Sequence, residues 1–281
     1  MAAPRIVTSI AELRGVVAGW RKAGARVGLV PTMGALHDGH LSLVREIQTR
    51  SDKSAASIFV NPAQFAPHED FDRYPRDLAS DAAKLGSVAL DLIFAPPVAE
   101  MYPAGFATGV TVGGPSAGLE TDFRPHFFGG VATVVAKLLI AALPDVAMFG
   151  EKDYQQLLVI RRMTVDLGLP VEIVGAPIVR EADGLAMSSR NAYLKPDERA
   201  VAGRLNLVLK DAITRLKHGD PVAQVEKFAS TDLREAGFDV VDYVAVRDAA
   251  TLERMAALDR PARILAAAKI GATRLIDNMA V

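Results

Sequence analysis

Short apolar runs alternate with segments of helical period up to about residue 178 of this chain. Five runs predict strands, at residues 26–30, 54–60, 89–94, 145–149 and 171–176. The segments between them predict helices, at residues 41–49, 77–85, 129–143 and 154–167. Connections of only a few residues between strand and helix are typical of βαβ units, which form a parallel sheet with helices on both faces.

The pattern changes after Val179. A polar loop is predicted at residues 182–191, and the elements predicted beyond it are helices at 196–217 and 222–236 and strands at 240–246, 264–268 and 273–276. We therefore predict an α/β fold, a Rossmann-like doubly wound parallel sheet with a smaller C-terminal α+β domain. The predicted domains are a ligand-binding domain at residues 1–178 and a lid domain at residues 179–281.

The composition argues against several classes of function. The 281 residues include 32 basic and 33 acidic side chains, so the chain lacks the excess of positive charge that is typical of nucleic-acid-binding proteins. No cysteine is present, so disulfides, thiolate nucleophiles and cysteine metal sites are excluded.

The most apolar stretch, residues 131–143, contains Lys137 and is shorter than the ~20 residues that cross a membrane. Residues 1–10 lack the apolar region of a secretory signal. We expect a cytoplasmic protein without nucleic-acid or membrane partners.

Ligands of a doubly wound sheet bind beyond the carboxyl ends of its strands, so motifs that follow strands are the first candidates for a site. His37 and His40 stand three residues apart where a helix is predicted to begin after the first strand. Free N–H groups and the helix dipole favour an anion at that position, and imidazoles can donate hydrogen bonds to phosphate. Alternatively, both histidines cap or pack within a polar turn. A zinc site would need a third ligand, and none has a recognisable spacing.

Two other segments follow predicted strands. Asn61 and Gln64 offer paired donors and acceptors for a hydroxyl or a carboxylate, unless the segment is only an Asn-Pro turn with a surface glutamine. Lys152 offers a compact positive charge for phosphate, and Asp153 can accept hydrogen bonds from ribose hydroxyls. Gln156 begins the next helix and is predicted to face the same crevice as Gln64. The alternative for this second segment is a helix start with solvated charges.

A fourth segment lies in the polar loop near residue 190. Ser188, Ser189 and Arg190 together form a good phosphate clamp, because Arg matches phosphate with two hydrogen bonds and Ser adds small donors. The alternative is an ordinary polar loop between domains. Neither a G-x-x-x-x-G-K-[ST] loop nor a G-x-G-x-x-G turn follows a predicted strand, which argues against P-loop and dinucleotide-binding proteins.

These four segments, in this order and spacing, resemble the pantothenate synthetase (pantoate–β-alanine ligase) family over nearly the whole chain. His37-x-Gly39-His40 resembles the H-I-G-H type motif of the wider nucleotidyltransferase superfamily, and the other three motifs narrow the resemblance to this family. The resemblance implies a ligase of pantothenate biosynthesis, on the route to coenzyme A. Such an enzyme condenses (R)-pantoate with β-alanine through a pantoyl adenylate, using ATP and Mg²⁺ and releasing AMP and pyrophosphate.

The resemblance also implies roles for individual residues. The implied catalytic residues are His37, His40, Lys152, Ser188, Ser189 and Arg190. The implied ATP contacts are Met33, Gly34, Ala35, Leu36, His37, Asp38, Gly39, His40, Gly150, Glu151, Lys152, Asp153, Val179, Met187, Ser188, Ser189 and Arg190. Gln64 and Gln156 would bind pantoate. No protein ligand is assigned to Mg²⁺, and a homodimer is expected.

The sequence departs from the family pattern at one point, and two rival functions are also compatible with part of it. The family often has Arg-Pro-Gly-His-Phe where this chain has Arg-Pro-His-Phe-Phe at residues 124–128, so His126 receives no role. A different adenylyl- or cytidylyltransferase would share the histidine motif, but it would need a basic acceptor pocket and no paired glutamines. A non-catalytic nucleotide sensor would have little use for His40, Lys152 and Arg190 together.

Overall fold

The structure is a computed structural model that describes residues 3–67 and 69–281. One sheet contains the parallel strands β1 (Arg5–Val7), β2 (Val27–Thr32), β3 (Lys53–Ile58), β4 (Leu92–Phe94), β5 (Val146–Gly150) and β6 (Glu172–Ala176). The helices of this half are α1 (Ile10–Lys22), α2 (Asp38–Gln48), α3 (Leu78–Ser87), α4 (Val98–Met101), α5 (Glu120–Phe123), α6 (Phe127–Ala142) and α7 (Tyr154–Asp166). The C-terminal half contains α8 (Pro196–Ala202), α9 (Arg204–Lys217), α10 (Val222–Glu235) and an antiparallel sheet of β7 (Val240–Asp248), β8 (Ala262–Ile270) and β9 (Thr273–Ala280).

The order of the parallel strands determines where a ligand can enter. The order is β1-β4-β3-β2-β5-β6, so the chain builds outward from β2 in one direction and from β5 in the other. The neighbours β2 and β5 therefore form the switch point, beyond whose carboxyl ends doubly wound sheets bind their ligands. The predicted Rossmann-like sheet with a smaller C-terminal α+β part is confirmed.

Each half of the molecule has its own hydrophobic core. On one face of the parallel sheet α1, α6 and α7 pack against residues such as Leu29, and on the other face α2 and α3 pack against residues such as Val30. A separate core lies between α9, α10 and the antiparallel sheet, around Leu209, Val225 and Ile264. This core begins after Val179, and the domain boundary assigned to that residue stays a prediction.

The most apolar helix, α6, is buried on nearly all sides, as expected for a helix without a polar face. Val131 and Leu139 are among its fully enclosed side chains. Within residues 3–67 and 69–281, no helix is both long enough and apolar enough to cross a membrane.

Two parts of the chain differ from the sequence predictions. No element was predicted before residue 26, yet β1 pairs with β4 and α1 follows it. The missed signal for α1 is the capping box of Ser9 and Glu12, whereas a three-residue strand such as β1 is defined only by its partner. The single helix predicted at 196–217 was wrong, because the chain breaks at Gly203 into α8 and α9. A side chain at position 203 would come within 2.6 Å of a carboxylate oxygen of Asp183, so glycine leaves that side chain where it is.

Candidate active site

A cavity of about 930 Å³ lies at the carboxyl ends of β2, β3 and β5, between the two sheets. This volume falls in the range of about 300–1,000 Å³ found for small-molecule sites. Both halves of the chain contribute walls, with Thr32 and Gly150 on one side and Ala266 and Ile276 on the other. The predicted site residues that line it are Met33, His37, Gly39, His40, Gln64, Gly150, Lys152, Asp153, Gln156, Val179, Met187, Ser188, Ser189 and Arg190.

Five positions implied as ATP contacts are not among the residues that line this cavity, and their assignment stays a prediction: Gly34, Ala35, Leu36, Asp38 and Glu151. Leu36 is only 2% exposed and belongs to the core beneath α2. The backbone N–H groups of Ala35 and Leu36 donate to the carboxylate of Asp81, at 2.9 Å each, instead of facing the cavity. Asp38 is exposed at the start of α2. The first four positions therefore form or border the turn behind the cavity wall.

The segment of residues 33–40, called the histidine turn below, connects β2 to α2. His37 caps the helix, and its Nδ1 accepts a hydrogen bond from the N–H of Gly39 at 3.2 Å. The Nδ1 of His40 accepts in turn from the N–H of His37 at 3.3 Å, and the two ring centroids are 4.1 Å apart. Since Nδ1 is the acceptor in both rings, each neutral imidazole bears its proton on Nε2. Both rings therefore retain one N–H donor for a ligand.

The surroundings of the two histidines keep them uncharged. Burial, reinforced by the positive charge of Lys152, lowers the pKa of His37 from 6.5 to about 4. Burial lowers the pKa of His40 to about 3, with further contributions from His37 and Lys152. At neutral pH both side chains are therefore hydrogen-bond donors without a charge, and Lys152 supplies the nearby cation.

Lys152 lies in a short 3-10 turn between β5 and α7. Its ammonium group is 4.0 Å from the Asp153 carboxylate. The backbone carbonyls of Glu151 and Lys152 accept hydrogen bonds from the amide of Asn278, at 2.9 and 2.8 Å. The Glu151 side chain turns away to Arg263, at 3.0 Å. Because Asn278 belongs to β9, the C-terminal sheet fixes the turn that presents Lys152.

A chain of hydrogen bonds determines how the amide of Gln64 is oriented. The Tyr102 hydroxyl donates to Oδ1 of Asn61 at 2.6 Å, and Nδ2 of Asn61 donates to Oε1 of Gln64 at 3.1 Å. The Nε2 of Gln64 lies 3.1 Å from Sδ of Met33, at the cavity wall. Burial raises the pKa of Tyr102 to about 12, so its hydroxyl stays protonated. Gln64 therefore offers N–H donors, which suit a carboxylate or hydroxyl oxygen.

The two adjacent glutamines at the start of α7 have different surroundings. Gln155 is buried, and its amide accepts from the N–H of Glu120 and donates to the carbonyls of Pro115 and Gly118, all at 3.1 Å. Gln156 is half-buried and lines the cavity together with Gln64. The structure thus brings together the two glutamines that the sequence predicted to share a crevice.

Residues 186–190, called the serine–arginine segment below, close the opposite side of the cavity. Arg190 donates two hydrogen bonds to Asp70, at 3.1 and 2.9 Å, and the Ser189 hydroxyl lies 3.2 Å from that of Tyr74. The hydroxyl of Ser188 accepts from the N–H of Arg190 at 3.3 Å. Although burial alone lowers the pKa of Arg190, the bonds to Asp70 raise it above its ordinary value. The guanidinium predicted to bind phosphate is therefore paired with a carboxylate of the loop after β3.

Val179 and Met187 face the cavity from the two sides of a hairpin-like turn. The N–H of Met187 donates to the carbonyl of Val179 at 3.0 Å. The adjacent Arg180 donates to both carboxylate oxygens of Asp277 in β9, at 2.7 and 2.9 Å. This ion pair attaches the turn to the C-terminal sheet.

Several cavity residues had no assigned role in the sequence analysis. Glu120 in α5 accepts two hydrogen bonds from Arg274 in β9, both at 2.8 Å, and a third from the Tyr243 hydroxyl at 2.7 Å. Asp242 accepts from the same Arg274 at 2.7 Å. These groups connect the two halves of the molecule across the cavity. Glu120 lies 123 residues from Tyr243 and 154 residues from Arg274 along the chain, so no local sequence pattern predicts these contacts.

The segment that departs from the family pattern also borders the cavity. Arg124 and Phe127 line it, and the Arg124 guanidinium lies over the Phe127 ring at 3.9 Å. Arg124 also pairs with Glu69 at 2.6 Å. His126 is not among the lining residues, and it still has no assigned role.

The side chains present do not form a metal cage. In the part of the chain that the structure describes, no group of three or more His, Cys, Asp or Glu side chains is arranged to hold a metal ion. Mg²⁺ commonly keeps several waters and is held by substrate phosphates with one or two carboxylates, a mode that needs no such cage.

A doubly wound sheet with a neutral histidine pair and a lysine at its switch point defines an α/β protein with a site for an anionic ligand beyond its strand ends. The comparisons with known proteins identify the group within this class. The family model described as pantoate-beta-alanine ligase matches residues 5–280. The chain belongs to the pantoate–β-alanine ligase family, which confirms the predicted resemblance and the predicted ligase activity.

Curated relatives and solved structures agree with this assignment. The pantothenate synthetase of Mesorhizobium japonicum is 57% identical over 281 residues, covering 100% of this chain and 99% of the relative. That of Caulobacter vibrioides is 56% identical over 284 residues, covering 100% of both. The crystal structure of a pantothenate synthetase from Thermus thermophilus has a TM-score of 0.92 at 48% identity, with 98% of each chain covered. A Francisella tularensis pantoate-beta-alanine ligase, described as complexed with beta-gamma ATP and beta-alanine, has a TM-score of 0.84 at 30% identity, covering 99% of this chain and 98% of that one.

Proposed function

We propose that this chain condenses (R)-pantoate with β-alanine in the cavity at the switch point, using ATP, through a pantoyl adenylate. In the first step a pantoate carboxylate oxygen attacks the α-phosphorus of ATP, and the bond to the β-phosphate breaks to release pyrophosphate. In the second step the uncharged β-alanine amine attacks the acyl carbon, the bond to AMP breaks, and the nitrogen loses a proton. The observation that carries the proposal is one cavity that contains both the histidine pair beside Lys152 and the glutamine pair.

The first half of the reaction needs donors around the phosphates. In this proposal His37 and His40 donate from Nε2 to phosphate oxygens, and Lys152 neutralises the charge that develops as pyrophosphate leaves. Fixed donors of this kind stabilise a transition state without reorganisation during the reaction. No protein nucleophile takes part, because the activated intermediate is formed on the substrate itself.

The remaining ATP contacts follow the roles that the family resemblance implies. Gly150 and Asp153, at the end of β5, would hold the ribose, and Val179 would contact the adenine. Met187, Ser188, Ser189 and Arg190 would close over the phosphates. For Arg190 this requires exchange of its Asp70 partner for a phosphate oxygen.

Gln64 and Gln156 are the proposed pantoate contacts. The chain from Tyr102 through Asn61 directs Gln64 to present N–H groups, which match the carboxylate and hydroxyl oxygens of pantoate. The Francisella tularensis ligase, whose fold matches this chain over nearly its whole length, is described as complexed with beta-gamma ATP and beta-alanine. It supports ATP and β-alanine as substrates of this chain. Mg²⁺, when bound with ATP, would screen the phosphate charge.

Pantoate-dependent exchange between ATP and labelled pyrophosphate, measured without β-alanine, tests the stepwise mechanism. A reversible first step incorporates label into ATP only when pantoate is present. Production of pantothenate without any such exchange would refute a freely reversible adenylate step.

We also infer a homodimer in the cytoplasm, from the family resemblance. Light scattering checks the assembly, since the chain mass is 29.9 kDa and a dimer has twice that mass. A single species at the mass of one chain, at micromolar concentration, would rule the dimer out.

A further inference from the structure

The histidine turn starts with an unusual backbone. Gly34 and Ala35 both have positive φ, at +84° and +51°, and these angles direct the next two N–H groups to the same side. Successive N–H groups in a turn conformation can form a concave anion site, often called a nest. Here the nest is already occupied by the carboxylate of Asp81, which accepts from Ala35 at Oδ2 and from Leu36 at Oδ1, each at 2.9 Å.

Asp81 is part of α3, on the opposite side of the turn from the cavity, and is only 2% exposed. A side chain at position 34 would come within 2.9 Å of its Oδ2, so the glycine also permits this contact. One helical turn later in α3, the ammonium of Lys84 donates to the carbonyl of Leu36 at 2.7 Å. Helix α3 therefore holds both the N–H and the C=O of the residue that precedes His37.

The positions of both imidazoles depend on this attachment. His37 follows Leu36 directly, and the Nδ1 contacts of His37 and His40 are each made to backbone N–H groups of the same turn. A shift of the turn would therefore break the contacts that keep the Nε2 protons available. The misplacement of a donor by about 1 Å is enough to reduce a rate by about 100-fold.

We propose that Asp81 is a positioning residue, which fixes the two histidines for phosphate chemistry by filling the nest of the histidine turn from behind. This inference rests on the proposed function of the histidines. It adds a residue outside the cavity wall on which their geometry depends.

The test compares Asp81→Asn with a matched control, Asp91→Asn. Asn keeps the shape but offers one acceptor oxygen, so one of the two N–H groups of the turn then faces an NH₂ group. Asp91 is a similar carboxylate at the amino end of the sheet, where it accepts from the N–H of Ser54 at 2.9 Å and pairs with Lys53 at 2.6 Å. The rate of pantoate-dependent ATP–pyrophosphate exchange and the KM for ATP are measured for both variants and for the unchanged chain.

We expect Asp81→Asn to reduce the maximal exchange rate by about 100-fold with little change in KM for ATP, and Asp91→Asn to keep the rate. Imidazole ¹⁵N spectra give a second readout that does not depend on activity. They should show the Nε2–H tautomer for both histidines in the unchanged chain and in Asp91→Asn, and a mixture of tautomers in Asp81→Asn. Equal exchange rates and equal spectra in the two variants would overturn the proposal. An inactive unchanged chain would instead refute the proposed function, and the spectra would still decide the role of Asp81.

Lys84→Met decides the question if Asp81→Asn does not fold. Lys84 is exposed, so its replacement should leave the fold intact while it removes the hydrogen bond to Leu36. A smaller loss of exchange rate, about 10-fold, together with altered tautomer signals, supports the proposal. An unchanged rate in this variant would count against it.

Discussion

The histidine turn and the serine–arginine segment were both predicted to face phosphate, but the structure holds them in different ways. The histidine turn is fixed within the parallel-sheet half, by Asp81 behind it and by the Nδ1 contacts of its own rings. The serine–arginine segment comes from the C-terminal half, and it contacts the loop after β3 through Arg190 with Asp70 and through Ser189 with Tyr74. The donors of one predicted phosphate site are therefore ready for a ligand, whereas those of the other are paired with groups of the chain.

This difference predicts that one segment contributes to the rate of the chemical step and the other to ATP affinity. Donors that are already in place can stabilise a transition state at no cost of rearrangement, so the histidines should affect the rate of the chemical step. A cation that must leave an internal carboxylate can bind phosphate only after that pair breaks, so Arg190 should affect ATP affinity. The three predictions that follow test this division, from the largest expected effect to the smallest.

Replacing His40 should have the largest effect. We expect His40→Ala to lower kcat by about 10²–10³-fold, because one fixed donor to the reacting phosphate is lost, while ATP affinity falls far less. Steady-state kinetics and calorimetric ATP titration measure the two quantities separately. His218→Ala is the control, since His218 is exposed at the end of α9 and outside the cavity. Retention of full turnover by His40→Ala would mean that the histidine turn is not part of the chemistry.

The sequence predicted both segments because each one carries its chemistry within a few residues. The same local reasoning placed the strands β2, β3 and β5, whose ends define the cavity. It could not predict Asp81, which lies 45 and 46 residues away from the groups that it binds. The resemblance implied ATP contacts at Ala35 and Leu36, and it gave no sign that the N–H groups of both residues donate to Asp81. Such pairings are decided by the packing of α3 against α2, and packing is not a local property.

Removing the partner of Arg190 should have a moderate effect on binding. An ion pair of this kind contributes about 1 kcal/mol, so we expect Asp70→Asn to tighten ATP binding by about fivefold while kcat changes little. Calorimetric titration with ATP measures the change. Glu69→Gln is the matched control, because this neighbouring carboxylate pairs with Arg124 rather than with Arg190. Weaker ATP binding in Asp70→Asn would show that Asp70 holds Arg190 in its working position, which would remove the contrast between the two segments.

Lowering the pH should leave the histidine turn unchanged over most of the range in which histidines usually titrate. The pKa values of about 4 for His37 and about 3 for His40 predict that neither ring is protonated between pH 8 and pH 5.5. A titration monitored by imidazole ¹⁵N signals, assigned with His37→Gln and His40→Gln, measures this. Both values lie below the 6.5 of an ordinary histidine, so the unfolded chain binds these protons more readily. The stability that these groups contribute is therefore complete above about pH 6.5 and is lost as the pH falls toward 4 and then 3. A midpoint near 6.5 for either ring would mean that the ring is solvated and free to charge, and a turn with such a ring would be no better prepared for phosphate than the serine–arginine segment.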